Sequence, residues 1–179
     1  MKTRKFLRVI TAVLFAAFIF TSCGGGNKNV TPLRTIAYKE FKIQNKDKAL
    51  FKMVDGGKTD IAFDTNGEIV ITCKFELLNT YKGNANQAII TLDALDSNGT
   101  KINIAPSFGN ELRSDDNDGS QFLDFLKGTP GSTKTMVFKA AITGEGFKTD
   151  VVATQKAAEK IVAFEVKTDE EGSAGETRN

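Results

Sequence analysis

The chain has 179 residues, with 24 lysines and arginines against 22 aspartates and glutamates, and it contains no histidine and no tryptophan. The absence of histidine excludes Ser-His-Asp and Cys-His nucleophile arrangements, His-containing zinc sites and a histidine pH switch. Two cysteines, at positions 23 and 73, allow one disulfide at most.

The N-terminal segment is positively charged, with Lys2, Arg4, Lys5 and Arg8 and no acid among them. An apolar run follows from Val9 to Phe20, interrupted only by Thr11, and then come Thr21, Ser22 and Cys23. Charged, apolar and small-residue regions in this order read as a secretory signal peptide over residues 1–22. The apolar run falls short of the roughly 20 residues a membrane-spanning helix needs.

Phe20-Thr21-Ser22-Cys23 resembles the lipobox of bacterial lipoproteins, in the looser form familiar among Bacteroidota, with Phe20 where leucine is usual. The resemblance implies cleavage before Cys23 and lipid attachment, of the palmitate type, at that cysteine. At least two acyl chains are implied, and two hold a protein stably where one binds reversibly. Gly24-Gly25-Gly26-Asn27 opens a flexible tether, read as residues 23–34. Surface-export signals in this class tend to be acidic after the cysteine, and no acidic run follows Cys23. The resemblance therefore implies an outer-membrane lipoprotein facing the periplasm.

Removal of residues 1–22 leaves 20 basic and 22 acidic side chains, a net charge near −2, so no basic face points to nucleic acid. With Cys23 acylated, Cys73 has no partner and stability must come from packing.

Alternation of apolar and polar residues dominates the rest. The stretch Glu68 to Leu78 places Ile69, Ile71, Cys73, Phe75 and Leu77 on one face, with Thr72, Lys74 and Glu76 on the other. Ile90, Leu92 and Ala94 form a second stripe opposite Thr91 and Asp93. Asn98-Gly99 then turns the chain towards Lys101–Ile104, a hairpin signal. Met136, Phe138 and Ala140 form a third stripe after a turn at Pro130-Gly131. Lys160 to Lys167 forms a fourth, with Val162, Phe164 and Val166 inward. Ile36–Ile43, Ala49–Val54 and Ile61–Phe63 are weaker strand candidates. Ala153 to Glu159 reads as a helical turn. Gln121 to Lys127 reads as a helix or an apolar strand, with Asp118 or Ser120 near its start and Gly128 after it. The acidic end, Asp169 to Asn179, reads as a disordered tail.

Seven to nine short strands with turn chemistry between them indicate an all-β, antiparallel sandwich or barrel over residues 35–168. The stretch from Gly67 through Ala141 resembles the immunoglobulin-like domains of exported bacterial lipoproteins: a long alternating strand, a polar loop, a strand ending in Asp-Ser-Asn-Gly, and a Pro-Gly turn before a Val-Phe strand. An antiparallel immunoglobulin-like β-sandwich is the fold this resemblance implies.

Chemistry-bearing groups are sparse. Cys73 falls in an inward stripe and reads as an inert buried thiol. Ser114-Asp115-Asp116-Asn117-Asp118-Gly119 is oxygen-rich but lacks the Asp and Glu of an EF-hand, leaving a looser calcium site on Asp115, Asp116 and Asp118 or a solvated loop. Tyr38 and Tyr81 are the two tyrosines, and Tyr81 in a polar loop could stack on a glycan. Glu76, Asp93 and Glu165 lie on or near strands, where a hydrolase would need a carboxylate pair and a wet strand face would need only charge. No catalytic residue, cofactor or metal site is assigned. The reading reached is a non-enzymatic lipoprotein, held to the membrane through Cys23, whose domain binds another envelope protein. The alternatives are a glycan- or calcium-binding module, then a hydrolase.

Overall fold

The computed structural model describes residues 31–104, 111–116 and 119–172. Nine strands lie among these residues: β1 (Thr31–Ala37), β2 (Phe41–Ile43), β3 (Phe51–Met53), β4 (Lys58–Phe63), β5 (Ile69–Leu77), β6 (Ala85–Leu95), β7 (Leu112–Ser114), β8 (Thr133–Ala140) and β9 (Ala163–Gly172). Two helices accompany them, α1 (Ser120–Leu126) and α2 (Val151–Ala158). The protein is predominantly β, as the alternation indicated.

The strands lie in one mixed sheet in the order β1-β4-β5-β8-β7-β6-β9-β2, with β3 also pairing β5. The first and last strands of that path are consecutive in sequence, joined by the single 3-10 turn Tyr38–Glu40. Four residue steps from Ala37 to Phe41 reach at most about 14 Å. In a flat sheet, seven strand spacings of about 4.8 Å would set these strands roughly 34 Å apart. The sheet must therefore curl on itself, and it nearly closes. The closing pair, β2 with β9, is parallel and departs from the all-antiparallel expectation.

The curled interior receives the predicted stripes. Ile69, Ile71, Cys73, Phe75 and Leu77 of β5 have no exposed surface, and Met136, Phe138 and Ala140 of β8 are buried beside them in antiparallel register. Phe122 of α1 packs edge-on against Phe51 (5.5 Å between ring centroids) and Phe75 (6.4 Å), so this helix covers the end of the sheet near Leu77, Ala85 and Thr133. Asp116, in the segment before the helix, reaches its first turn: its carboxylate accepts the N–H groups of Phe122 (2.7 Å) and Gln121 (3.3 Å). At the opposite end lies α2, which buries Thr154, Ala157 and Ala158 and is capped by Asp150.

Tyr38 fastens the curl. The strand opposite β5 is broken between Met53 and Lys58, so Lys74 of β5 lacks a full ladder partner there. Its carbonyl accepts from the Val54 N–H (3.1 Å), and its N–H donates to the Tyr38 hydroxyl (2.8 Å). The Tyr38 N–H donates to the Gly57 carbonyl (2.9 Å), and its ring meets Phe41 edge-on. A Cβ on Gly57 would sit 2.3 Å from the Tyr38 ring, so only glycine fits.

Two turns repeat one design. In Asp64-Thr65-Asn66-Gly67-Glu68, Asp64 Oδ1 accepts the N–H groups of Asn66 (2.9 Å) and Glu68 (3.1 Å). In Asp96-Ser97-Asn98-Gly99-Thr100, Asp96 Oδ1 accepts those of Asn98 (2.8 Å) and Thr100 (2.9 Å). Gly67 and Gly99 take the left-handed φ that closes each hairpin, 77° and 76°.

Several expectations need correction. Residues 31–34 belong to β1, not to the tether; Pro32 is tolerated because β1 is an edge strand with a register shift at that point. Asp169–Gly172 continue β9 against β6 rather than fraying, so the tail cannot begin at 169. Thr91 and Asp93 are buried, so β6 has no wet face there, and Val162 points outward just before β9 begins. Lys101–Ile104 contributes one bridge, Lys101 to Leu95, rather than a strand.

Replacing Tyr38 by Phe is expected to lower unfolding stability by about 1–3 kcal/mol, because the Lys74 N–H loses its partner. Gly57→Ala should cost a similar amount through overpacking. Urea unfolding of both variants checks this, and a Tyr38→Phe midpoint equal to the parent's would show that the clasp carries no load.

Candidate functional site

β1 and β2 each have one hydrogen-bonded neighbour among the described residues, so the curled sheet stays open along a seam. Beside the free edge of β1 runs a groove of about 580 Å³, bordered by Arg34, Ala37, Lys42, Asp96 and Val162. The Arg34 guanidinium crosses the seam to the Ile161 carbonyl (2.7 Å). Lys39 is ion-paired with Glu40 (3.9 Å), and Asp96 is committed to its own turn. Lys42 is the exposed charge left facing the groove. An unpaired strand edge with a groove beside it is where an extended chain adds to a sheet, through main-chain hydrogen bonds.

A second polar cluster lies on the outer face of β6 and β9. Asp93 is 2% exposed and both Lys101 and Lys167 bring an ammonium to 2.6 Å from its Oδ2. Lys167 also reaches Glu111 (2.8 Å), and Lys101 approaches Glu165 (3.8 Å). Burial works against the Lys167 ammonium, but its hydrogen bonds to Asp93 and Glu111 outweigh that and hold its pKa above the ordinary lysine range. Asp93 and Glu165, paired across the strands, are thus brought together but neutralised by lysines. Glu76 is elsewhere, on β5 beside Lys52 (3.6 Å). The three carboxylates do not converge on one cleft.

The remaining candidates are placed as follows. Cys23 and the lipobox lie outside the described residues. Cys73 has no exposed surface, and burial pushes its thiol far up. Asp116 is occupied at the start of α1, which removes it from a calcium shell; Asp118 lies outside the described residues. Among the described residues no group of three or more acids or cysteines has metal-site geometry. Tyr81 is half-buried against the core and donates to Glu170 (2.7 Å), so it is not a free stacking platform. Tyr38 is a structural clasp.

Sequence reasoning missed Asp47. It is 1% exposed in the turn between β2 and β3, accepts from the Thr168 hydroxyl (2.7 Å) and leaves its other oxygen without a hydrogen-bond partner among the described residues. Burial raises its pKa, against the lowering effect of the Thr168 hydroxyl and Lys46. An aspartate between Lys46 and Lys48 gave no sign of being inward. Asp64 is its opposite. Burial would raise its pKa, but the N–H groups of Glu68 and Asn66, with Lys139 at 3.3 Å, bring it below the ordinary value.

Fold and site together define a small, predominantly β protein whose curled sheet is open at one seam. Comparison with protein families, curated proteins and solved structures finds no match to this chain. No helix among the described residues is long and apolar enough to cross a membrane.

These aspartates predict opposite pH responses. The raised folded-state pKa of Asp47 gives stability that is complete below the ordinary value of 3.8 and is lost as pH rises through the folded value. Asp47→Asn should therefore gain on the parent as pH rises above the ordinary value of 3.8. The lowered pKa of Asp64 gives stability present above 3.8 and lost as pH falls through the folded value, so Asp64→Asn should cost more at neutral pH than in acid. Denaturation midpoints measured from below pH 3.8 up to neutral pH decide it; parallel profiles for the two variants would contradict the assignment. Separately, Lys167→Met should destabilise by about 1–3 kcal/mol, more than Lys101→Met, because it removes the more buried partner of Asp93.

Proposed function

We propose that this protein is a membrane-anchored lipoprotein, lipidated on Cys23, whose β domain binds an extended segment of another envelope protein. The observation that carries the binding role is the groove along the unpaired edge of β1. The anchor rests on the charged and apolar N-terminal segment and on the lipobox resemblance of Phe20–Cys23. A non-enzymatic role is supported by the lysine-neutralised carboxylates, the buried thiol and the absence of histidine.

An immunoglobulin-like architecture is part of the proposal in a limited sense. The number of short strands and the passage of the chain from β1, paired with β4, directly to β2, paired with β9, support it. The order β5-β8-β7-β6 differs from the two-sheet pairing of constant immunoglobulin domains. A barrel-like description fits the strand path more closely.

Crosslinking of the full-length protein in native envelopes, followed by capture, tests the function. The expected result is one stoichiometric protein partner, lost with Ala37→Arg/Lys42→Glu and retained with Thr129→Asp at the far end. Undiminished capture by the groove variant would remove the groove from the interface.

A further inference from the structure

The register of the sheet fixes which end of the domain receives the N-terminal segment. Thr31 lies opposite Phe63, Phe63 opposite Ile69, and Ile69 opposite Ala140, so these four residues form one row across β1, β4, β5 and β8. The chain leaving Ala140 builds a narrow finger at this same end. Thr143 pairs with Thr149, the Gly144 N–H donates to the Lys148 carbonyl (2.8 Å), and the Asp150 N–H to the Ile142 carbonyl (2.8 Å). Phe147 stands at its tip, 96% exposed, with a φ of 59°.

That combination is costly twice. A bulky residue in the left-handed region is a genuine outlier, and such strain concentrates at functional contacts. A phenyl ring in water forgoes the burial that places phenylalanine in cores. Val151 (40% exposed) and Val152 (61%) follow on the first turn of α2. The other exposed large hydrophobic residues among those described are Leu33, two residues from Thr31, and Val162, next to the Ile161 that Arg34 grips. All five gather at or beside the end where the chain enters. At the other end, where α1 sits and β9 finishes at Gly172, none is found among the described residues.

We infer that the Phe147 tip inserts into the lipid surface beside the anchor, as a second and non-covalent attachment that sets the orientation of the domain. The inference rests on the proposed lipidation of Cys23. Eight residue steps separate Cys23 from Thr31, at most about 26–29 Å of chain. Three strand spacings separate Thr31 from Ala140, about 14 Å. A bilayer that holds Cys23 is therefore within reach of the tip. Lys148 and Glu145 flank Phe147 with opposite charges, so the contact is apolar rather than an attraction to anionic lipid.

The chain has no tryptophan, so Phe147→Trp is a reporter without background. The full-length variant is reconstituted into phosphatidylethanolamine–phosphatidylglycerol vesicles, with and without bromine on the acyl chains, and the mass at Cys23 is measured in parallel. Thr129→Trp, at the α1 end, is the control. The expected result is a blue-shifted emission from the Phe147→Trp variant, quenched by the brominated lipid, with the emission of the Thr129→Trp control unaffected. Water-like, unquenched emission from the tip indole on a protein that carries acyl chains overturns the tip contact and leaves the anchor standing. If Cys23 carries no lipid, the anchor reading fails, and quenching of the tip indole in the same vesicles still decides the tip either way. A blue shift in native envelopes without bromine quenching in vesicles places a protein on the tip and overturns the inference. Phe147→Gly, which relieves the left-handed strain, should keep or raise the melting temperature. A lowered one would show that Phe147 is held for packing, and overturns it as well.

Discussion

The structure depends on how its sheet closes. A three-residue turn between β1 and β2 carries the chain from one edge of an eight-strand path to the other, and the sheet has no choice but to curl. Tyr38 makes that geometry tolerable. It supplies the hydrogen bond that Lys74 lost when the neighbouring strand broke, and it fills the space that Gly57 leaves. Buried main-chain groups without partners cost enough that such a break would otherwise weaken the wall of the core. Burial and hydrogen bonding are here carried by one side chain, which explains why an aromatic with a hydroxyl is needed rather than phenylalanine.

Closure also explains what the sequence revealed and what it concealed. β5 and β8 were legible because each has one wet face and one buried face, so a period of two appears directly in Ile69–Leu77 and Met136–Ala140. β6 hid half its character: Asp93 reads as a wet-face residue and is in fact enclosed by Lys167 of β9 and Lys101 of the segment after β6. β7 has three residues, too few for any period to show. β9 reads short at its acidic end because charge there suggests disorder, whereas those residues pair with β6 and one of them, Glu170, receives the Tyr81 hydroxyl. Asn66-Gly67 carries the same signal as Asn98-Gly99, and both make the same turn. The groove was invisible because it is formed by strands distant in sequence, and Asp47 because nothing local distinguishes an inward aspartate from the lysine-flanked surface around it.

The two ends of the domain differ in kind. One is sealed by α1, whose phenylalanines join the core aromatic cluster and whose first turn is bound by Asp116. The other is covered by α2, strained at Phe147 and apolar on its outside. Such polarity would suit a domain tethered from one side, as proposed, because only one end would then meet a fixed surface. The seam groove runs along the unpaired edge of β1 and reaches Val162.

The twin Asp-x-Asn-Gly turns have a consequence in chemical ageing. In a loose chain, the amide nitrogen that follows an asparagine attacks its side-chain carbonyl, and glycine hinders that attack least. Here the nitrogens of Gly67 and Gly99 are occupied, donating to the carbonyls of Asp64 (3.0 Å) and Asp96 (2.9 Å). Conversion of Asn66 or Asn98 to aspartate must therefore wait for the turn to open, and local opening is governed by the stability of each hairpin. Asp64 is held further by Lys139, while Asp96 sits on an exposed turn beyond the last residue of β6. The two sites would then deamidate at unequal rates, and their ratio would record how often each end of the hairpin pair comes undone over the lifetime of the protein.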